Sequence, residues 1–187
     1  LEKHSLTIAH SVDDVVSNSD VIFVAVQTPH SPEYGGETPA PGERRDFEYA
    51  YLVQTVRNIC LAAKAQRKNI IVAVISTVLP GTCSRLIFPM LNRYVQFAYT
   101  PAFIAMGTTI ADYRKPEFQV CGVLGEAKKV RAQIARVFLP VHGEDRLLHC
   151  GVEDGEAIKI VYNTLISTKI VFANMLMEMC HKTGADC

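Results

Sequence analysis

The sequence predicts an α/β fold: a partial Rossmann-like parallel sheet with flanking helices, followed by one long central α-helix. Short apolar runs without polar alternation predict strands that are covered on both faces, and these runs alternate with helical segments along the chain. The last segment, residues 155–180, has apolar residues at three- and four-residue steps, which predicts a helix. We therefore expect two parts, a sheet-containing domain at 1–151 and the central helix at 152–187.

The individual elements follow from local signals. Ser11 is placed to cap a short first helix, since two aspartates follow it in the first turn. The predicted strands are 21–26, 70–75, 96–99, 118–123 and 146–149, and the predicted helices between them are 47–65, 83–91 and 126–138. Asp46 precedes the second helix and is expected to cap it. Frequent prolines and glycines at 30–45 predict a long loop, which is either a lid or a solvated surface segment.

Composition argues against several classes of protein. The 19 basic and 19 acidic residues give a formal net charge of zero, which favours neither a nucleic acid nor a membrane surface as partner. Because no apolar run approaches eighteen residues and the first residues lack the apolar segment of a signal peptide, we expect a cytoplasmic protein. The six cysteines contain no C-x-x-C pair and the histidines do not cluster, so we expect free thiols and no metal site.

Polar loops follow the first three predicted strands, at 27–29, 76–82 and 100–107. In open parallel sheets, ligands bind at the carboxyl ends of the strands, so these loops are the expected site. For Thr28 and Thr77 the residues alone favour a simpler interpretation, because threonine hydroxyls often satisfy nearby backbone groups in turns.

Three polar residues of the last helix, Glu156, Lys159 and Asn163, are spaced so that they share one face. By spacing alone they form a solvated stripe, in which a Glu–Lys pair contributes a few tenths of a kcal/mol. The functional alternative is that a fixed ammonium and an amide, facing a partly dry site, stabilise negative charge that develops in a transition state.

Four segments together resemble the UDP-glucose/GDP-mannose dehydrogenase family: 20–29 (DVIFVAVQTP), 76–82 (STVLPGT), 100–108 (TPAFIAMGT) and 156–163 (EAIKIVYN). Each is a weak signal alone, but in this order and at these spacings the set is specific, and it covers nearly the whole chain. The resemblance implies oxidation of the carbon-6 hydroxyl of a nucleotide sugar to a carboxylate in two NAD-dependent steps. It also implies that 1–151 is the C-terminal part of an NAD-binding domain and that the following helix forms dimers.

The resemblance implies roles for individual residues. NAD would be contacted by strand-end residues of the first two loops, namely Val26, Thr28, Pro29, Ser76 and Thr77. The substrate would be contacted by the third loop and the central helix, namely Phe103, Ile104, Ala105, Met106, Lys159 and Asn163. Thr77, Lys159 and Asn163 would be the catalytic residues, with the last two stabilising the developing oxyanion.

The sequence also departs from the family pattern. The third loop usually reads Asn-Pro-Glu-Phe-Leu, a variable residue, then Glu-Gly, whereas this chain has Thr100, Ala102 and Met106 at the Asn and the two Glu positions. Neither a methyl group nor a thioether can perform the acid–base and positioning roles of a carboxylate. The sequence contains no G-x-G-x-x-G phosphate loop and no cysteine in the context of the family nucleophile, so Leu1 is expected to lie partway into the domain.

Two other functions therefore remain open. One is a non-catalytic relative that binds sugar nucleotides or forms dimers, which Ala102 and Met106 favour. The other is a Rossmann-type enzyme similar to the hydroxyacid dehydrogenases, which also place a Lys and an Asn four residues apart on a following helix.

The far half of the central helix, residues 171–180, is apolar on nearly all sides. A helix without a polar face requires partners on every side. We therefore expect a homodimer through residues 155–180, and the alternative is that a further domain covers the helix.

Overall fold

The computed structural model describes residues 6–37, 39, 42–105, 107–143 and 146–186. Within these ranges five strands form one sheet in chain order: β1 (Val21–Val24), β2 (Ile70–Val74), β3 (Val95–Tyr99), β4 (Gln119–Val123) and β5 (Leu147–Gly151). The helices are α1 (Val12–Asn18), α2 (Ala50–Gln66), α3 (Thr109–Arg114), α4 (Lys128–His142) and α5 (Val152–Thr183). The predicted α/β class, with a sheet, flanking helices and a long last helix, is confirmed.

The sheet is covered on both faces, as its unalternating apolar strands predict. Val72 and Val74 of β2 contribute to the core that contains α2, whereas Ile71 and Ala73 of the same strand contribute to the core that contains α4. Since successive side chains of a strand point to opposite faces, both sets of residues must be apolar. This arrangement explains why the strand reads as a continuous apolar run.

The sheet is mixed, so the prediction of a wholly parallel sheet is wrong. Strands β1–β3 are mutually parallel, but β4 pairs antiparallel with β3 through Ala98 and Tyr99, and β5 follows β4 in parallel. In the described part of the connection from β3 to β4, α3 is the only helix, and none of its six residues is buried. Because so short a helix cannot cross the face of the sheet, the chain turns back at the edge where β3 ends.

Some boundaries and caps differ from the prediction. Ser11 caps α1 as expected, since its Oγ accepts a hydrogen bond from the Asp14 amide at 3.1 Å. Asp46 does not cap α2, which begins at Ala50 with Tyr49 in the capping position. The predicted helix 83–91 is a π-helical turn, Cys83–Ile87, followed by a 3-10 turn, Phe88–Met90, whose proline lacks the amide hydrogen that an α-helix needs.

Helix α5 approaches the sheet closely at its start. A Cβ atom added to Gly155 would lie 3.1 Å from Val120 Cγ1 and 3.2 Å from Tyr99 Cδ1, and one added to Gly122 would lie 2.9 Å from the Gly151 carbonyl oxygen. The two glycines therefore allow the first turns of α5 to lie against the ends of β3 and β4. This contact places the helix start beside the edge where β1–β3 end.

The rest of α5 projects away from the domain and is exposed. Large apolar side chains that are 40% or more exposed include Val161, Leu165, Ile166, Ile170, Val171, Phe172, Met175, Leu176, Met177 and Met179. Among the described residues, α5 alone is long and apolar enough to cross a membrane, with a hydropathy of 1.3. Core helices of soluble proteins can have the same length and composition.

Four cysteines are free thiols in the described part of the chain, namely Cys60, Cys83, Cys121 and Cys150. Cys180 is disulfide-bonded, so the expectation of free thiols is wrong for this residue. Within the described residues there is no group of three or more His, Cys, Asp or Glu side chains that could hold a metal ion.

Candidate functional site

The loops that follow β1 and β2 lie side by side, because the two strands are parallel neighbours. Ser76 Oγ donates a hydrogen bond to the Val26 carbonyl at 2.6 Å and accepts one from the Val26 amide at 2.9 Å. Thr28 Oγ1 donates to the Thr77 carbonyl at 2.7 Å. Four of the five predicted cofactor residues are thus brought together by direct contacts, and Pro29 is exposed in the same loop as Thr28.

These contacts bear on the two interpretations of the threonines. The Thr28 hydroxyl satisfies a backbone carbonyl, which is the turn chemistry that the first interpretation expects. The half-buried Thr77 differs, since its hydroxyl makes no hydrogen bond within the described residues. The Thr77 hydroxyl is therefore available to a bound molecule at this edge.

The turn after Thr77 is held by a buried carboxylate from α5. Glu156 is fully buried, its Oε2 accepts a hydrogen bond from the Gly81 amide at 2.6 Å, and its Oε1 accepts one from the Cys83 amide at 2.8 Å. Burial, with the Glu156 carboxylate beside it, raises the pKa of the Cys83 thiol. This contact cannot be predicted from residue spacing, because helical periodicity does not relate Glu156 to a turn more than 70 residues upstream.

The other side of the same turn is held by Tyr49, the residue that directly precedes α2. The Tyr49 hydroxyl accepts hydrogen bonds from the Leu79 amide at 3.2 Å and from Thr82 Oγ1 at 3.3 Å. It donates to Asp46 Oδ1 at 2.7 Å, and Asp46 also forms an ion pair with Arg85 at 2.5 Å. Asp46 thus orients a tyrosine instead of capping the helix.

Lys159 is a buried cation whose hydrogen-bond acceptors are neutral. It is 7% exposed, and its Nζ donates to the Ala102 carbonyl at 2.8 Å and to Asn163 Oδ1 at 3.3 Å. The ammonium lies 4.8 Å from the centroid of the Phe103 ring, within the range of a cation–π contact. Burial lowers the pKa of Lys159.

The predicted Glu–Lys pair on the surface of the helix is therefore wrong. Glu156 and Lys159 are both buried, and in the described part of the chain the ion pairs are those of Arg45 with Glu33 and Arg85 with Asp46. The start of α5 lies between the loop after β2 and the loop after β3. The Glu156 side chain therefore bonds to the first of these loops and the Lys159 side chain to the second. A buried ammonium without a carboxylate partner is costly unless a ligand compensates its charge.

A cavity of about 210 Å³ opens beside Lys159. It is lined by Phe103, Ile104, Ala105, Asp112, Lys115, Pro116, Glu117, Lys159, Tyr162, Asn163 and Ile166. The predicted substrate residues that the structure describes all line this cavity, and Met106 lies outside the described residues. Since lysine has no acceptor, the Asn163 oxygen must face the ammonium, which leaves the amide NH₂ of this cavity-lining side chain available to the cavity.

Four polar residues of this cavity are not apparent as site residues from the sequence. Hydrogen bonds from the Thr108 hydroxyl and the Ala105 amide lower the pKa of Asp112. The Tyr162 hydroxyl donates to Glu117 Oε2 at 3.2 Å, and burial together with this carboxylate raises the pKa of Tyr162. Lys115 is the fourth. The strand and helix patterns gave no signal for three of these residues, which lie in or next to α3.

An aromatic wall fixes the position of Phe103. Its ring centroid lies 4.6 Å from that of Phe118 and 4.9 Å from that of Tyr162, the latter in an edge-to-face arrangement. Phe118 and Tyr162 are themselves 5.8 Å apart. Because each ring contacts the other two, the ring under the Lys159 ammonium has little freedom to move.

The fold and its strand-end site define a Rossmann-like dehydrogenase domain. The sequence model of the UDP-glucose/GDP-mannose dehydrogenase family, NAD binding domain, matches residues 1–142. The chain therefore belongs to the UDP-glucose/GDP-mannose dehydrogenase family, as its four motifs predict. NAD is the cofactor of this domain, which confirms the predicted cofactor.

Curated relatives agree with this assignment. UDP-glucose 6-dehydrogenase from Rickettsia conorii is 27% identical over 190 residues, which cover all of this chain and 40% of the relative. GDP-mannose 6-dehydrogenase from Azotobacter vinelandii is 30% identical over 149 residues, which cover 75% of this chain and 33% of the relative. The chain thus spans about 40% of the length of the first of these relatives.

Solved structures share the fold. A ternary complex of GDP-mannose dehydrogenase from Pseudomonas aeruginosa matches with a TM-score of 0.81 and 24% identity, over 95% of this chain and 39% of that one. UDP-glucose dehydrogenase from Pyrobaculum islandicum matches with a TM-score of 0.79 and 24% identity over the same shares. At this level of identity the likeness concerns the fold.

Proposed function

We propose that this chain supplies the cofactor edge and part of the substrate site of a nucleotide-sugar dehydrogenase. The reaction is the NAD-dependent oxidation of a UDP-glucose- or GDP-mannose-type substrate from the carbon-6 alcohol to the carboxylate. The observation that carries the proposal is Lys159, a buried ammonium without a carboxylate partner among the described residues, at the wall of a cavity. The names of the relatives supply the two classes of substrate.

The cofactor would be held by Val26, Thr28, Pro29, Ser76 and Thr77. The loops after β1 and β2 meet at the carboxyl edge of the sheet, where dinucleotides bind in this class of fold. The unpaired Thr77 hydroxyl fits the cofactor, because it is half-buried and free to donate a hydrogen bond. NAD supplies the hydride acceptor, and these residues orient it.

Lys159 and Asn163 act on the oxygen of the substrate. When an alcohol loses its proton, negative charge develops on that oxygen, and a preorganised donor in a dry site stabilises it. The buried Lys159 ammonium is such a donor, and Phe103 and the Ala102 carbonyl fix its position. The Asn163 NH₂ offers a second donor from an exposed side chain at the wall of the same cavity. Phe103, Ile104, Ala105 and Met106 would contact the sugar.

The carboxylates that the family pattern places at 102 and 106 are absent from this chain. Ala102 contributes its carbonyl oxygen to Lys159 instead. Asp112 and Glu117 are the carboxylates that line the described cavity, and Asp112 is already bonded to Ala105 and Thr108. Among the described residues Glu117 is hydrogen-bonded by the Tyr162 hydroxyl alone, so we assign the acid–base role to Glu117.

The second candidate function is a non-catalytic relative that binds sugar nucleotides. Ala102 favours it, since a methyl group cannot exchange a proton. The two functions differ in the role of NAD, because a binding module needs no hydride acceptor.

We further propose that residues 1–151 and 152–187 are separate parts, and that α5 mediates a homodimer through 155–180. The exposed apolar side chains beyond Val161 support the dimer, since a patch of this extent is unusual on the surface of a monomer. The expected cytoplasmic location, without a membrane or nucleic-acid partner, belongs to the same proposal.

Calorimetry tests the proposed function. NAD⁺, UDP-glucose and GDP-mannose are titrated into the wild-type chain, Lys159→Ala and the control Lys169→Ala, which removes an exposed lysine from the same helix. Since hydrogen bonds to charged groups contribute about 1.5–3 kcal/mol, we expect Lys159→Ala to weaken binding of the nucleotide sugar by about 10- to 100-fold. Binding of NAD⁺ should not change.

Each other outcome has a distinct meaning. Equal nucleotide-sugar affinity of Lys159→Ala and wild type refutes the role of Lys159. Binding of the nucleotide sugar without binding of NAD⁺ favours the non-catalytic relative.

A further inference from the structure

The start of α5 carries two buried charges of opposite sign that bond to different strand-end loops. The Glu156 carboxylate bonds to the Gly81 and Cys83 amides in the turn after β2, and the Lys159 ammonium bonds to the Ala102 carbonyl in the loop after β3. The two residues are one helical turn apart, about 4.5 Å along the axis. One rigid segment thus connects the proposed cofactor edge to the proposed substrate cavity.

The geometry of the turn explains why it binds a carboxylate. Gly81 has a positive φ of +84°, and the π-helical turn Cys83–Ile87 begins directly after Thr82. The first amides of a helical segment lack intrahelical acceptors and attract negative charge. The Glu156 carboxylate, which is fully buried, fills this position with both oxygens.

We propose that Glu156 is a positioning residue that fixes the cofactor edge relative to the Lys159 cavity. The inference rests on the proposed function, which places NAD at Thr77 and the sugar at Lys159. A displacement of the turn that carries Gly81 acts on Glu156 through two hydrogen bonds. Since Lys159 lies on the same helical segment, the displacement reaches the Ala102 loop and the cavity.

Amide NMR of the full 20.7 kDa chain tests the coupling. The variants are Glu156→Gln, which loses the charge and one acceptor, and Glu156→Asp, which keeps the charge on a shorter side chain. Glu153→Gln is the matched control, because Glu153 is an exposed glutamate of the same helix. Spectra are recorded without ligand and during titration with NAD⁺.

In the ligand-free spectra we expect Glu156→Gln to move the amide signals of Gly81 and Cys83 upfield, because the charge-assisted hydrogen bonds weaken. We also expect the signals of 102–105 to move, since the start of α5 loses an anchor. Glu156→Asp should restore part of both changes, and Glu153→Gln should cause neither. Unmoved 102–105 signals in Glu156→Gln overturn the inference.

In the titration we expect NAD⁺ to shift the wild-type amides of Thr28, Thr77 and 102–105. In Glu156→Gln the shifts at Thr28 and Thr77 should remain and those at 102–105 should be lost. Wild-type shifts confined to the first two loops overturn the inference without the use of any variant. Absence of all NAD⁺ shifts refutes the proposed cofactor site instead, and the ligand-free comparison still decides the role of Glu156.

Discussion

Replacement of Gly122 by alanine is expected to separate α5 from the sheet. The added Cβ would lie 2.9 Å from the Gly151 carbonyl oxygen, 3.2 Å from Val152 Cα and 3.4 Å from the Tyr99 carbonyl oxygen. All three contacts are with backbone atoms, which cannot rotate away as a side chain does. The strain must therefore be relieved by a shift of the segment that begins α5.

The magnitude follows from two opposing contributions. Overpacking of a close-packed site costs about 1–3 kcal/mol. Removal of a glycine from a strand interior recovers about 0.5–1 kcal/mol of conformational entropy. We expect Gly122→Ala to lower the free energy of unfolding by about 1.3 kcal/mol, the difference between the central values of these two contributions, which are about 2 and about 0.75 kcal/mol.

Urea denaturation at neutral pH measures this change, and Gly42→Ala is the control. Gly42 has no positive φ, and no atom of the described residues lies within 4 Å of an added Cβ, so its substitution should change the stability by less than about 0.5 kcal/mol. A Gly122→Ala variant that is as stable as Gly42→Ala would refute the argument from close approach. The slope of the transition should not change, since the unfolded chain exposes the same surface.

Three further results are expected. Burial lowers the pKa of Lys159 in the folded state, so near this pKa the unfolded chain binds more protons than the folded chain. In urea titrations the free energy of unfolding of the wild type should therefore rise relative to that of Lys159→Met as the pH increases from 7 to 10. A difference between the two free energies that stays constant with pH contradicts this. Burial raises the pKa of the Cys121 thiol to about 11. Alkylation followed by mass spectrometry should therefore label Cys121 only after unfolding. Rapid labelling of Cys121 in the native chain refutes the burial of this thiol. Phe172 is 58% exposed on α5. Light scattering should therefore show that Phe172→Glu converts the proposed dimer into a monomer. A wild-type chain that is monomeric at micromolar concentration excludes the dimer.

The sequence predicts the strands well because the signal is local. The run 70–75 is apolar throughout, and such a short run with many β-branched residues is typical of a strand that is buried on both faces of a sheet. The direction of β4 depends instead on whether the connection after β3 crosses the face of the sheet or turns back at its edge. The length and burial of α3 decide between these two connections, and hydrophobic periodicity reveals neither property.

The site is predictable to a smaller degree. The motifs place Lys159 and Asn163 on one helix face, but spacing alone cannot distinguish a solvated face from a buried one. Burial of that face depends on Gly155, which lets the helix approach Tyr99 and Val120. Glu117 could not be found, because its contact with Tyr162 joins residues 45 positions apart in the chain.

Helix α5 has the mechanical properties of a stiff lever. Its 32 residues correspond to about 48 Å, and no glycine or proline lies between Glu156 and Thr183. From Lys159 to Thr183 the arm is about 36 Å long, so a tilt of about 5° at its base displaces the tip by about 3 Å. The orientation of any partner that binds the far end of α5 therefore depends on the few contacts around Gly155. A small change in these contacts causes a larger displacement of the bound partner.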